Sequence, residues 1–263
     1  MFFNTFQSFI SKKPSIYLTL LELLVLIFKL CLFIILGLSM ALPFLIYTMY
    51  RSIFNLVVLA LFFTSCTKSG YQETTVYNNN FINGDITGLE GATWYTFNGT
   101  KTIGRYNNGG FTLNLTNLPK HKAIQIELVP YFHNSWDGNN NFGGIDGPDI
   151  WDMKVDGQEL VHATFSNSPC EPLYCLFQSY PVRYSTVNNP PMTDAVKQMG
   201  GTDDNCSGIN TTSMYRIVKI ISHTNSSVKI SCRDFLIQTN VPNPLCDESW
   251  SMASIIVKVI NLP

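Results

Sequence analysis

Three features of the sequence predict an all-β fold, an antiparallel jelly-roll sandwich preceded by an N-terminal hydrophobic segment. Apolar and polar residues alternate with period two through most of the chain after residue 71. Turn-forming residues punctuate that alternation at short intervals. No amphipathic helix longer than two turns interrupts it. Period-two alternation puts one face of a strand in a core and the other in water. Strands without helical crossovers pack as two antiparallel sheets.

The chain has 263 residues. Without its apolar front end about 195 remain, a size that suits one sandwich domain. Residues 1–48 form a hydrophobic segment, 49–66 a signal-peptide-like segment, 67–74 a tether and 75–263 the predicted sandwich.

In the front end, Leu30 to Tyr50 is uncharged between Lys29 and Arg51, long enough to cross a bilayer. A second apolar run, Ser52 to Ser65, follows a short positive start at Met49-Tyr50-Arg51. Its end, Phe63-Thr64-Ser65-Cys66, resembles a bacterial lipobox. That resemblance implies cleavage before Cys66 and lipidation of its sulfur. Thr67, where inner-membrane retention calls for Asp, implies sorting to the outer membrane or cell surface. Residues 1–48 are then either an extra span or the product of an early start codon. Both versions place the body outside the cytoplasm, tied to a membrane.

In the body, Ile124, Ile126 and Leu128 alternate with Gln125 and Glu127 over 123–131. Residues 215–220 are apolar on both faces; Val228, Ile230 and Cys232 mark another strand; Ile255, Val257 and Val259 mark the last. Shorter candidates are 75–81, 92–98, 110–116, 150–156 and 159–165. Asn107-Asn108-Gly109-Gly110, Leu118-Pro119, Asp156-Gly157 and His223-Thr224-Asn225 supply turns. Two stretches, 133–149 and 166–212, have no strand pattern. Long loops in a compact domain are usually functional or stapled.

Five cysteines lie in the body, with no C-x-x-C pair and no histidine at zinc spacing. In an exported domain they read as disulfides. The expected bridges are Cys170–Cys175 and Cys232–Cys246, with Cys206 free or paired differently; sequence alone leaves the connectivity open.

Charged residues are 13% of the chain and the net charge is −1, so no basic field exists for nucleic acid. No G-x-S-x-G elbow, H-E-x-x-H or phosphate loop is present, which argues against an enzyme.

The chemistry concentrates in the loop at 131–149. Asp137-Gly138-Asn139-Asn140-Asn141 places oxygen side chains at alternate positions, with Asp146 and Asp149 following. Calcium takes six to eight such oxygens. Phe142 and Pro148 stand where an EF-hand needs Gly and Glu, so the expected site is of another kind. The expected calcium ligands are Asp137, Asn139, Asp149 and Glu248, with Asp85 as a further candidate. Trp136, Tyr131 and His133 are the expected ligand-binding residues, Trp136 as an exposed platform for a sugar ring. Trp94, Tyr95 and Trp151 carry similar rings, and Trp151 and Trp250 are expected in the core.

One resemblance spans roughly residues 71–261. Asn117-Leu118-Pro119-Lys120-His121, Asn134-Ser135-Trp136-Asp137-Gly138-Asn139, Gly147-Pro148-Asp149-Ile150-Trp151, Val155-Asp156-Gly157, Thr164-Phe165-Ser166-Asn167, Gln178-Ser179-Tyr180-Pro181 and Asp247-Glu248-Ser249-Trp250 occur in that order. Together they resemble a jelly-roll domain, of galactose-binding or concanavalin type, of bacterial and protist surface proteins. The resemblance implies a fold and a surface location, and no activity. Asn134 replaces the pattern's Asp, and Ser251-Met252-Ala253-Ser254 replaces Gly-Ile-Asp-Asn. The expected function is binding of carbohydrate or another extracellular ligand. The alternatives are a structural or adhesive module contacting an envelope protein, and a glycoside hydrolase.

Overall fold

The computed structural model describes residues 22–29, 49–54, 56, 72–201 and 211–261. The expectations for 30–48, for Cys66, for the tether up to residue 71 and for Cys206 fall outside these residues. The chain divides into two compact units, Met1–Thr67 and Lys68–Pro263. In the first, residues 22–29 and 49–54 are helical. Among the described residues, no helix is long and apolar enough to cross a membrane.

The second unit is an all-β sandwich of two antiparallel sheets. In chain order its strands are β1 (Gln72–Asn79), β2 (Leu89–Glu90), β3 (Trp94–Phe97), β4 (Thr100–Tyr106), β5 (Gly110–Leu115), β6 (Ala123–Asn134), β7 (Ile150–Val155), β8 (Gln158–Thr164), β9 (Lys197–Gly200), β10 (Thr211–Met214), β11 (Ile217–Ser222), β12 (Val228–Phe235) and β13 (Glu248–Asn261). One sheet has eight strands, in the order β3-β4-β13-β6-β10-β9, with β1 also on β13 and β11 also on β6. The other has five, in the order β2-β5-β12-β7-β8.

The spine is the pairing of β6 with β13, in register from Glu248 opposite Asn134 to Ile260 opposite Ala123. Both strands alternate, β13 in two phases, so Ile124, Ile126, Leu128 and Phe132 meet Trp250, Met252, Ile255, Val257 and Val259 on the inner face. A bulge between Met252 and Ser254 absorbs one extra residue. Facing them, β5, β7 and β12 supply Phe111, Leu113, Trp151, Met153, Val155, Ile230 and Cys232.

At one end of the sandwich the core becomes aromatic. Phe132 stacks on Phe165 at 4.0 Å and meets Trp136 edge-on at 4.7 Å. Trp151 meets Trp250 edge-on at 5.6 Å. Each buried ring of this size contributes about 1.5–3 kcal/mol by area alone.

The expected strands reappear with shifted ends. Residues 215–220 become β11, with Tyr215 and Arg216 breaking it from β10. The last strand starts seven residues earlier than Ile255, because Ser249 and Ser251 continue the alternation with Trp250 and Met252. Within 166–212, where no strand pattern shows, β9 and β10 pair through short polar segments.

Two corrections follow from the packing. The bridge Cys170–Cys175 is present. The expected Cys232–Cys246 bridge is not: Cys232 is a buried free thiol, facing inward from the middle of β12. Cys246 is disulfide-bonded, and not to Cys232. Trp136 is also not an exposed platform, since it is fully buried.

Candidate cation site and its surroundings

The loop between β6 and β7 is fixed at its start by Trp136. Its indole N–H donates to the Ser249 carbonyl at 2.8 Å, while the ring fills the aromatic core. Ser135 donates from its backbone and its hydroxyl to the Asp247 carbonyl, both at 2.9 Å. The next residue, Asp137, therefore lies against the beginning of β13.

Two glycines let the loop close on itself. A side chain on Gly138 would stand 2.2 Å from the Phe177 carbonyl oxygen, and its φ is +72°. At Gly147, φ +70°, a side chain would stand 2.2 Å from the Asn140 carbonyl and 3.3 Å from Oδ1 of Asp149. Both close approaches require the missing Cβ. The Asp149 backbone N–H then donates to the Gly138 carbonyl at 3.0 Å.

This folding gathers four carboxylates. Carboxylate oxygens of Asp137, Asp146 and Glu248 lie within 4.8 Å of one another. Asp149, fully buried, accepts at Oδ2 from the backbone N–H groups of Asp137 and Gly138. Its Oδ1 is buried with no hydrogen-bond partner, and so is Oδ1 of Asp146. Glu248 accepts from the Gln238 side-chain amide, and Asp146 accepts from Asn240 at 3.1 Å.

Burial, with Asp146 and Asp247 nearby, pushes the Asp137 carboxyl up to about 7. Burial also lifts Asp149 and Glu248 well above the usual carboxylate range; a hydrogen bond between the two carboxyls favours the charged form of Asp149 and the protonated form of Glu248, and Asp137 and Asp146 add to the cost of ionising either. Among the described residues, no lysine or arginine pairs with any of the four. Buried carboxylates so close together cannot all carry charge without a cation. Asp149 and Asp146 each keep an oxygen that no N–H donor reaches, and oxygen donors are what a hard divalent ion takes. The donor set fits calcium.

Three of the four expected metal ligands, Asp137, Asp149 and Glu248, converge here. The fourth, Asn139, does not: its side chain donates to Val187 O at 2.9 Å and Asn188 Oδ1 at 2.8 Å and accepts from the Thr164 hydroxyl. Asp146 takes its place. Asp85 is fully exposed and accepts from the backbone of Thr87. Gln238 and Asn240, from the loop after β12, carry no sequence signal for this role.

The expected ligand-binding residues stand elsewhere. His133 points to the outer face of the eight-stranded sheet, yet it is fully buried there. It bridges the hydroxyls of Thr212 at 3.0 Å and Ser251 at 2.8 Å. Phe97 packs on its ring at 4.8 Å and Tyr95 at 5.7 Å. Burial, with Arg105 nearby, holds its imidazole down at about 3. Tyr131 is half-buried, edge-on to Phe97 at 5.5 Å. These are packing roles; His133 and Trp136 present no open face to a ligand.

The acid cluster on the outer face of the five-stranded sheet is of another kind. There Asp152 meets His162 at 2.6 Å and Lys154 at 3.6 Å, and Glu159 meets Arg183 at 2.9 Å.

No family model matches this chain, and no curated protein matches it. Solved structures with a similar arrangement include a family 35 carbohydrate-binding module from Clostridium thermocellum, with TM-score 0.32 and 8% identity over 71% of this chain and 97% of that one. A carbohydrate-binding module of the Cellvibrio mixtus lichenase 5A, solved with cellotriose, has TM-score 0.30 and 12% identity over 70% of this chain and 97% of that one. The C-terminal family 6 module of a laminarinase from Zobellia galactanivorans has TM-score 0.28 and 9% identity over 72% of this chain and 98% of that one.

Proposed function

We propose that this chain is a membrane-anchored, extracytoplasmic binding module, in which a calcium ion clamps one end of a β-sandwich and the body binds carbohydrate or another extracellular ligand. The observation that carries the clamp is the convergence of Asp137, Asp146 and Glu248, with the Asp149 carboxyl against Glu248 and buried oxygens of Asp146 and Asp149 that no N–H donor reaches. The ion would tie the β6–β7 loop to the first residue of β13. Its role is structural. Asp149 and Glu248 are buried and Asp137 and Asp146 half-buried, so the carboxylates are not set on either side of an open cleft as glycoside hydrolysis requires. Export and lipidation at Cys66 rest on the sequence.

Thermal melts of the full chain with calcium and with chelator test the clamp. Ligand at one hundred times its dissociation constant adds about 2.7 kcal/mol to stability. A melting point that rises with calcium and falls with chelator supports the reading; identical melts under both conditions reject it.

A second reading, adhesion to an envelope protein, is favoured by one feature. The Cys170–Cys175 bridge staples a tight turn in which Glu171 and Tyr174 exchange backbone hydrogen bonds. Leu173 at its tip is 99% exposed and Tyr174 is 50% exposed. A rigid apolar tip suits insertion into a partner's pocket. Retention of envelope proteins by wild type and not by Leu173→Asp would support this reading.

A further inference from the structure

The outer face of the five-stranded sheet carries an ordered polar lattice. Residues directly opposite one another on neighbouring strands share a face. One row across the sheet is Glu90, Thr112, Ser231, Lys154 and Glu159, each registered with the next. The adjacent row is Gly110, Arg233, Asp152 and His162. The first row spans all five strands, four spacings or about 19 Å.

At the β2 end the lattice sinks into a groove of about 390 Å³, lined by Glu90, Gly91, Gly110, Thr112, Ser231 and Arg233 among others. Its floor is bare backbone for a structural reason. A side chain on Gly110 would stand 2.0 Å from the Cys232 carbonyl, and one on Gly91 would stand 2.8 Å from the Gly110 carbonyl. The Glu90 carboxylate and the Arg233 guanidinium are both exposed at its rim, and the guanidinium lies 4.6 Å above the Phe235 ring.

Within these two rows the charges cancel, and Lys229, opposite Asn114, lies on the same face one row beyond them. Glu90, Asp152 and Glu159 stand against Lys154, Arg233 and Arg183, the last reaching in from its loop to Glu159. A polyanion or polycation therefore gains little from these two rows. What the face offers is a dense set of hydrogen-bond donors and acceptors, with two hydroxyls at its centre and no large apolar side chain in either row. From this we infer that the face binds a neutral oligosaccharide lying across the strands, with its best-held residue in the glycine-floored groove. There Glu90 accepts from sugar hydroxyls and Arg233 donates to them. This assignment rests on the carbohydrate half of the proposed function and gives it a place.

The test uses a printed array of neutral and uronic-acid-containing oligosaccharides, probed with the full chain. Wild type is compared with Ser231→Trp, which fills the groove from an outward-facing position, with Arg233→Ala, and with Gln125→Trp on the outer face of the opposite sheet. Circular dichroism confirms that each variant is folded. The expected result is wild-type binding to neutral members, at least a tenfold loss in Ser231→Trp and Arg233→Ala, and none in Gln125→Trp. Wild-type binding that both groove variants retain overturns this site and leaves the carbohydrate reading standing. Wild-type binding to charged members alone overturns the inferred ligand class. No binding by wild type to any member overturns the carbohydrate reading itself.

Discussion

Trp136 and Ser249 join the two halves of the candidate site: the indole N–H of one donates to the carbonyl of the other at 2.8 Å, one residue before Asp137 and one after Glu248. The ring that makes this bond is fully buried against Phe132 and Phe165. Core packing thus aims the carboxylates.

Replacing that ring should be costly. Trp136→Ala is expected to destabilise the sandwich by about 3–5 kcal/mol, the usual range for a large buried aromatic. Trp136→Phe keeps part of the packing and leaves the Ser249 carbonyl without its donor, at about 1–3 kcal/mol. Urea unfolding followed by fluorescence measures both. A change below 1 kcal/mol in Trp136→Ala would mean that the ring is not in the core.

The carboxylate cluster sets one pH dependence. The Asp137 carboxyl is raised from its ordinary 3.8 to about 7, so between those values the folded state holds a proton that the unfolded chain releases. Its contribution to stability is full below the ordinary value and is lost as pH rises towards 7. Without added calcium, Asp137→Asn is expected to lack that loss, so its advantage over wild type grows from pH 4 to pH 7. Added calcium should shrink the difference by stabilising the wild type. Parallel stability curves for the two proteins would contradict the burial of this group.

His133 sets an opposite one. Its imidazole is held at about 3 in the fold, below its ordinary 6.5. The unfolded chain takes up a proton as pH falls below 6.5 while the folded state does not. Stability is therefore full above 6.5 and lost progressively towards 3. His133→Gln removes that slope, at the expense of the bonds to Thr212 and Ser251. Denaturant midpoints of both proteins from pH 4 to 8 give the comparison; a steeper acid loss in the variant would contradict the assignment.

Cys232 lies between the sheets with its thiol pushed up by burial. Thiolate is the reactive form, so an alkylating reagent should leave Cys232 unmodified in the folded protein and label it on unfolding. Peptide mass spectrometry distinguishes the two. Rapid labelling under native conditions would place this sulfur at the surface.

Much of the fold was legible because alternation survives in β6, β7, β8 and β12, where one face is buried and the other wet. β4 was not, since Gly104 and Arg105 interrupt its pattern and its inner face is short. In the site, Asp137, Asp149 and Glu248 could be read from residue chemistry and from a resemblance that linked distant segments. Asn139 could not be excluded, because nothing local says that Val187 and Asn188 claim its amide. Trp136 was misread for a related reason. A glycine-rich neighbourhood signals a turn, and the same glycines let the loop fold flat and draw the ring inward. Gln238 and Asn240 enter through a loop that only the tertiary fold brings close.

Cation binding by Asp137, Asp146, Asp149 and Glu248 is measured by calorimetric titration of calcium into chelator-treated full chain, alongside Glu248→Gln and Asp149→Asn. One ion bound per wild-type chain is expected, with at least a tenfold weaker affinity in each variant. Equal binding by all three proteins, or no binding by wild type, would contradict it.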